Sequence, residues 1–320
     1  MDVGEIICCP TCKGPLEEAP PALWCPDCEV TYDRFDGLWD LLPPASSSLK
    51  LSERSHYTEK TDYYLRMHST WCGSPFYRHF HSSFLDELRR LPHGSLILET
   101  GCGLGHDGLE LLHSGYRVVE TDIAPGQLTQ ARRLQEEGGY SGSSSHLLAD
   151  AEHLPFVTAS FDGAFMVASL HHLPDPLAAL REMRRVLRPG GILAIGTEPN
   201  NWQNYTIYPL GKLMLKAARL FTHEPLGGEE MVSEADKLTE GFSGRQLEDL
   251  LREAGFAHVE LKPAGYLSAA VFFLSTEFSQ IIGRDIRLFP LEKAAIPLDE
   301  LLGRLPLLAS YPWHWNAIAG

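Results

Sequence analysis

Residues 95–122 constrain this chain more than any other stretch. "SLILET" is a short apolar strand that runs straight into the glycine turn "GCGLG". The next segment, "HDGLELLHSG", has the apolar spacing of an amphipathic helix, and "YRVVETD" reads as a second strand ending in Asp122. Strand, glycine turn, helix, strand and acid make the opening unit of a doubly wound nucleotide-binding sheet. Glycines let the backbone approach a ligand and adopt conformations that other residues resist. The Asp122 carboxylate, at the C-terminal end of a strand, can accept both hydroxyls of a ribose. The expected fold class is α/β, a Rossmann-like sheet with helices on both faces.

Gly103, Gly105 and Gly108 satisfy the spacing GxGxxG, so a dinucleotide has to be weighed. The strand already ends at Glu99–Thr100, however, and the turn begins at Gly101, which makes the frame ExGxGxG. An acid at that strand end suits an ammonium or sulfonium ligand better than a pyrophosphate. Downstream, "HLLAD" is a third strand ending in Asp150, and "FDGAFMVASLHHLPDP" is a fourth that opens into a loop. "LAALREMRRVLRPGGILAIGTEP" reads as a helix with Leu177, Leu180, Met183 and Leu187 on one face, then a Pro-Gly-Gly turn, then a fifth strand.

Residues 95–199 closely resemble class I S-adenosylmethionine-dependent methyltransferases of the type 11 group. The resemblance rests on "LETGCGLG", "ETD", "LADAEHLPF", "SLHHLPDP" and "LRPGGILAI", in that order. It implies a seven-stranded sheet, with "HVELKPAG" as strand six and the final "WHWNAIAG" as a reversed strand seven. "FSGRQLEDLLREAGF" looks like the helix before strand six, with a capping box of Ser243 and Gln246 and an apolar stripe of Leu247, Leu250, Leu251 and Ala254. The implied cofactor is S-adenosyl-L-methionine (SAM). Glu99, Gly101, Gly103 and Gly105 would then line its methionine and ribose side. Asp122 would hold the ribose hydroxyls, with Ile123 facing the adenine. Asp150 would accept the adenine amine, with Ala151 beside it. Ala168 and Ser169 would close the floor below the reacting methyl. His171 and His172, just past strand four, are the candidate catalytic bases, with His172 slightly ahead. Cys102 reads as small filler, because transfer from a sulfonium needs no covalent enzyme intermediate.

The N-terminal segment carries a second signal. Cys9 and Cys12, then twelve residues, then Cys25 and Cys28 form CxxC–x12–CxxC. Each CxxC turn presents two thiolates, and four thiolates suit a tetrahedral zinc with no open position, so the expected zinc is structural. Cys8 adjoins Cys9, but only Cys9 reproduces the Cys-Pro-x-Cys of the second knuckle. The course CPxC…CxxC…Tyr…Gly…LLP resembles the small zinc-ribbon activator proteins that dock on methyltransferases. Tyr32, Phe35, Leu38, Trp39, Leu41 and Leu42 exceed what a miniature ribbon can bury, so they are expected to pack against the main domain. The domain reading is a zinc ribbon over 1–44, a linker and helical lid over 45–93, and a SAM-binding domain over 94–320 with insertions at 200–241 and 267–305.

Charge separates the functional alternatives. The net charge is −15 over 320 residues, and residues 1–50 hold nine acids against Lys13, Arg34 and Lys50. Four thiolates on one zinc add further negative charge, which repels phosphate. That weighs against a ribosomal RNA base methyltransferase that would use the ribbon for recognition. It favours a small-molecule acceptor, methylated at oxygen or carbon. Tyr57, Tyr63, Tyr64, Trp71, Phe76 and Tyr77 before the sheet, and Trp202, Tyr205, Tyr208 and Phe221 after strand five, suggest a covered aromatic pocket. A non-catalytic methyltransferase-like partner is a third reading, opposed by the intact glycines and Asp122. No apolar run approaches a membrane span, no secretory signal is visible, and the odd cysteine count with CxxC pairs points to a reducing, cytoplasmic setting.

Overall fold

A computed structural model describes residues 1–205, 233, 241–282 and 286–320. The chain opens with a three-stranded antiparallel sheet of β1 (Glu17–Ala19), β2 (Ala22–Cys25) and β3 (Val30–Tyr32). A tight hairpin of β4 (Arg34–Phe35) and β5 (Leu38–Asp40) follows. Its two turn residues, Asp36 and Gly37, both have positive φ (49° and 77°). That backbone matches the twist of a two-residue hairpin, and Asp-Gly is its usual sequence.

Three helices come next: α1 (Ser48–Glu59), α2 (Thr61–Trp71) and α3 (Pro75–Leu88). Ser47 and Ser74 cap α1 and α3 through their hydroxyls, each accepting a backbone N–H. The alternating part then runs β6 (Leu96–Thr100), α4 (His106–His113), β7 (Arg117–Asp122), α5 (Pro125–Glu137), β8 (Ser144–Leu148), β9 (Phe161–Val167), α6 (Pro176–Val186) and β10 (Leu187–Pro199). The chain closes with α7 (Gly244–Glu253), β11 (Val259–Ala264), α8 (Leu267–Ile282), α9 (Phe289–Leu302) and β12 (His314–Ala319).

The main sheet has the order β11-β12-β10-β9-β6-β7-β8-β5-β4. Strands β6 to β10 are parallel, and β12 lies antiparallel between β10 and β11, the reversed last strand expected from the sequence. This is the class I methyltransferase sheet, with helices covering it. All five residues of β6 are buried, as a central strand covered on both faces requires. The expected capping box of Ser243 and Gln246 starts α7, which buries Leu247 and Leu251.

Two features extend that plan. Strand β5 pairs in parallel with β8 (Trp39 with Leu147, Asp40 with Leu148), so the N-terminal segment adds two strands to the main sheet. It covers an edge that would otherwise present open hydrogen-bonding groups. Leu187, expected on the face of α6, is instead the first residue of β10, which shifts register between Leu187 and Ile192 around Gly190. The core crosses the segment boundary as well. Cys9, Cys25 and Tyr32 share one buried cluster with Leu154, Phe156 and Met166, and Leu38 packs with Leu128, Ala131 and Leu148.

The two stretches read as insertions differ in what is seen. Within residues 267–305 lie the two helices α8 and α9, joined to the fold by buried acids. Asp299 of α9 accepts the backbone N–H groups of Tyr266, Leu267 and Ser268 at the start of α8. Glu292 accepts the Ser74 hydroxyl at the start of α3. Of the aromatics named after strand five, Trp202 and Tyr205 are described; Tyr208 and Phe221 lie outside the described residues.

Candidate functional site

The glycine turn brings backbone to the C-terminal edge of the sheet. Gly101 has φ +67°, and a Cβ there would lie 2.8 Å from the Ser169 hydroxyl; one on Gly103 (φ +53°) would lie 2.9 Å from Gln127 Oε1. The turn is tied to the next strand, because Cys102 N donates to Thr121 O and Gly103 N donates to Asp122 Oδ2 at 2.8 Å. Asp122 also accepts from Ala124 N at 2.8 Å. Burial raises its pKa above the ordinary carboxylate value, while these amides pull it back.

One strand further along the sheet, Asp150 follows β8. Its Oδ1 accepts from Glu152 N at 3.0 Å, and its Oδ2 takes the Lys50 ammonium and faces His153 Nδ1 at 3.3 Å. Lys50 also reaches Glu152, at 2.6 Å. The loop after β9 supplies Ala168, in the left-handed region at φ +47°, and then Ser169 to His172.

These strand ends share one cavity. Gly101, Gly103, Asp122, Ile123, Asp150, Ala151, Ala168 and His172 all line it. Glu99, Gly105 and His171 are not among its lining residues. Gly105 is the residue before α4, and Glu99 is buried behind the turn, where burial and then the Glu120 charge raise its pKa well above the carboxylate range. The wall opposite the strand ends comes from α1 and α5, through Lys50, Glu53, Tyr57 and Gln127. Of these, only Tyr57 stood out in the sequence, as a lid aromatic. The others left no signal: Lys50 and Glu53 sit on a largely polar helix with no apolar stripe, and Gln127 is one of several polar residues on α5.

The two histidines have different partners. His172 Nε2 lies 3.3 Å from the Tyr57 hydroxyl, and its Nδ1 lies 4.0 Å from the Glu53 carboxylate, so both nitrogens turn toward α1. His171 Nδ1 lies 2.9 Å from Glu198 Oε2 at the end of β10. The two imidazole rings are 4.1 Å apart. Glu198 is fully buried and also accepts the backbone N–H groups of Ser169 and Leu170 at 2.9 Å and of His171 at 3.1 Å. Burial alone would raise its pKa; the His171 ring and these amides outweigh burial and hold it below the ordinary value. His314 of β12, partly buried, feels the charges of this group. Burial pushes its pKa down to about 4, helped by the His171 and His81 charges and opposed by Glu198.

At the other end of the chain, Cys9, Cys12, Cys25 and Cys28 bring their sulfurs within 4.8 Å of one another. Cys9 and Cys28 sulfurs are 3.9 Å apart, and those of Cys12 and Cys25 are 3.5 Å apart. Thiolates about 2.3 Å from a tetrahedral zinc stand roughly 3.8 Å from each other, so the donor set fits that metal. Cys8 stays outside the cluster; burial raises its thiol pKa to about 11.

Comparison with known proteins agrees with this fold. The methyltransferase domain family matches residues 98–195. The O-methyltransferase resE of Aspergillus sclerotiorum is 32% identical over 168 residues, which is 52% of this chain and 56% of that protein. An uncharacterized 37.1 kDa protein in transposon TN4556 of Streptomyces fradiae is 34% identical over 76% of this chain and 63% of its own length. The chain thus spans less than two thirds of either relative. Among solved structures, phosphoethanolamine N-methyltransferase 2 of Haemonchus contortus, in complex with S-adenosyl-L-methionine, aligns with a TM-score of 0.55 at 17% identity, over 87% of this chain and 60% of that one. The chain carries a methyltransferase domain on a class I methyltransferase fold.

Proposed function

We propose that this chain is an enzyme that transfers a methyl group from SAM to an apolar or aromatic small molecule, at oxygen or carbon. One observation carries the reading. The ends of four neighbouring sheet strands, through Gly101 and Gly103, Asp122 and Ile123, Asp150 and Ala151, and Ala168, Ser169 and His172, line a single cavity that α1 partly covers. In an open α/β sheet this edge is where ligands bind.

In this reading the glycine turn leaves room for the methionine part of the cofactor. Asp122 accepts the ribose hydroxyls and Ile123 packs on the adenine. Asp150 accepts the adenine amine, with Ala151 beside it. Glu99 and Gly105 support the turn from behind. When bound, SAM supplies a methyl carbon already activated by positive sulfur. The protein's work is then alignment and exclusion of water. Ala168 and Ser169 form the floor, Tyr57 and α1 form the cover, and His172 stands where an acceptor would enter, next in the chain to His171. The four cysteines hold a structural zinc, and the whole ribbon segment braces the main sheet. The acidic ribbon supports a small-molecule acceptor over nucleic acid.

The test is partition of label. The protein is incubated with methyl-labelled SAM and whole-cell extract, and the RNA, protein and organic-soluble fractions are separated. Label in the organic fraction is expected. Label confined to RNA would replace this reading with nucleic-acid methylation, and no transfer to any fraction would remove the catalytic reading.

A further inference from the structure

We infer that the outer face of the α8–α9 hairpin is where a second copy of this chain docks, the two hairpins closing into a four-helix bundle across a two-fold axis. Among the described residues, none from α8 or α9 lines the cavity, so the docking holds whatever fills it.

Helix α9 is amphipathic in the inverted sense, with acids inward and leucines outward. Glu292 and Asp299 are buried, where they hold the Ser74 hydroxyl of α3 and the first amides of α8. Leu291, Leu298 and Leu301 are 51–56% exposed, and Ala294 stands exposed in the same row. Their spacing of three, four and three residues is that of a helix-packing seam. Leu305 carries the row into the following turn and is 44% exposed.

Helix α8 repeats the pattern. Leu267, Leu274 and Phe278 are 44–46% exposed, with Val271 half-buried in the same row. The opposite side of the helix faces the fold, where Phe272 meets Phe76 of α3 with ring centroids 5.4 Å apart.

The two rows form one surface. Asp299, near the end of α9, binds the amides at the start of α8, so the helices lie side by side and antiparallel. Both rest on α3, through Glu292 and Phe272, so both rows look away from it. The Tyr266 hydroxyl donates to Leu308 O at 3.1 Å, which brings Leu307, 85% exposed, to the same edge. The uncovered apolar area is on the order of 800 Å², above the roughly 300–600 Å² of a typical monomer's largest patch and about what one partner gives a standard interface.

Charge and spacing choose the occupant. A helix bound at a bilayer surface carries lysines and arginines on its polar side. Helix α8 has none, and α9 has only Lys293. A row repeating every 3.5 residues is narrow and suits another helix. The net charge of −15 makes two copies repel over most of their surface. The rows themselves carry no charged residue, and Glu300 turns to His79 of α3, 3.4 Å away. Two copies can therefore meet on this face without bringing like charges together. An antiparallel hairpin with matching rows on both helices is also self-complementary. One two-fold axis covers both copies' faces at once and leaves no open contact.

Sedimentation velocity of the full chain, kept reduced so that its cysteines form no cross-link, reads the mass from about 0.1 to about 100 μM. A dimer with a dissociation constant of about 1 μM or tighter is expected. Leu274→Glu and Leu298→Glu each bury an unpaired charge twice by symmetry. Each is expected to weaken the dimer about 100-fold or more while the circular dichroism spectrum stays the same. Leu51→Glu, at an exposed leucine of α1, is expected to leave the dimer intact. A wild-type monomer over the whole range, or a dimer that both row variants keep, overturns the inference. A monomer that floats with vesicles of phosphatidylcholine and phosphatidylglycerol, and no longer does so as Leu298→Glu, overturns it in favour of a bilayer. If the row variants do not fold, hydrogen exchange of the wild type above and below the dimer midpoint still decides. Added protection in α8 and α9 supports the inference, and added protection confined to other elements overturns it.

Discussion

The ammonium of Lys50 and the carboxylate of Asp150 form a buried ion pair, with side chains only 8% and 3% exposed. The pair ties the first helix to the acid that the proposed function gives to the adenine amine. Lys50 therefore stands beside the atoms a cofactor would use. Lys50→Met is expected to tighten S-adenosylhomocysteine binding about fivefold, because Asp150 loses the Lys50 ammonium as a competing donor, and to lower the melting temperature, because breaking a buried pair costs about 3–5 kcal/mol. Calorimetry and a thermal melt read the two effects separately. Weaker binding in the variant would mean that Lys50 supports the cofactor site and does not compete with it.

The ribbon is wired into the main domain at several points. Cys8 N donates to Pro155 O and Val157 N to Ile6 O, both at 2.9 Å, and Lys13 pairs with Glu182 at 2.6 Å. Tyr32, buried in the shared core, places its hydroxyl 3.4 Å from Cys9 Sγ. Removing the metal should loosen this junction before it touches the pocket. Cys25→Ser, or a strong chelator, is expected to lower solubility and melting temperature while cofactor affinity of the folded fraction stays within about threefold, since metal binding in such sites is largely folding free energy. Selective loss of acceptor binding with stability intact would show that the ribbon recognises the substrate.

Much of this architecture is legible in the sequence because its signals are local. The glycine turn, Asp122 and the Ser243–Gln246 box each depend on a few neighbouring residues, and the structure puts each where its local chemistry predicts. The parts that were not legible depend on tertiary context. Strand β5 is three residues long, too short for a period; only Asp36-Gly37 marks its hairpin, and nothing local says that it will pair with β8. Lys50 looks like a solvated lysine on a polar helix until Asp150 and Glu152 close on it. Leu187 fits the stripe of α6, but the register shift in β10 claims it for the sheet. Glu198 is one acid among many in the sequence, and only the fold brings His171 and three amides to it.

Asp122 sets function against stability. Its folded pKa is raised above the ordinary value of about 3.9, chiefly by burial. The favourable contribution of such a group is complete below its unfolded pKa and is lost as pH rises through its folded pKa. At neutral pH the buried charge is thus a cost, and Asp122→Asn is expected to melt no lower than wild type. Ribose hydroxyls, however, donate best to the ionised acid. Cofactor affinity should fall about 10- to 100-fold in the variant, the worth of a hydrogen bond to a charged group. Wild-type affinity should also weaken as acid protonates Asp122, a dependence that Asp122→Asn lacks. A variant with unchanged affinity would remove Asp122 from the cofactor site.

His314 gives the fold a pH limit of its own. It is partly buried, and its pKa is pushed down to about 4 chiefly by burial, with His171 and His81 adding to the shift and Glu198 opposing it. In the unfolded chain the ring titrates near the ordinary histidine value of about 6.5. A depressed folded pKa means that the stabilising contribution is present above about 6.5 and is lost as pH falls toward 4. Between those limits the unfolded state takes up a proton that the folded state refuses, so stability should fall by roughly 3 kcal/mol over the window. His314→Gln removes the titration while keeping a polar side chain. Denaturant unfolding of both proteins at about pH 7 and about pH 4.5 reads the difference, and comparing them at the same pH cancels any loss of the bound metal. The wild type is expected to lose more stability than the variant across that interval. Parallel losses would show that His314 takes up its proton inside the fold, through an opening that lets water reach the ring.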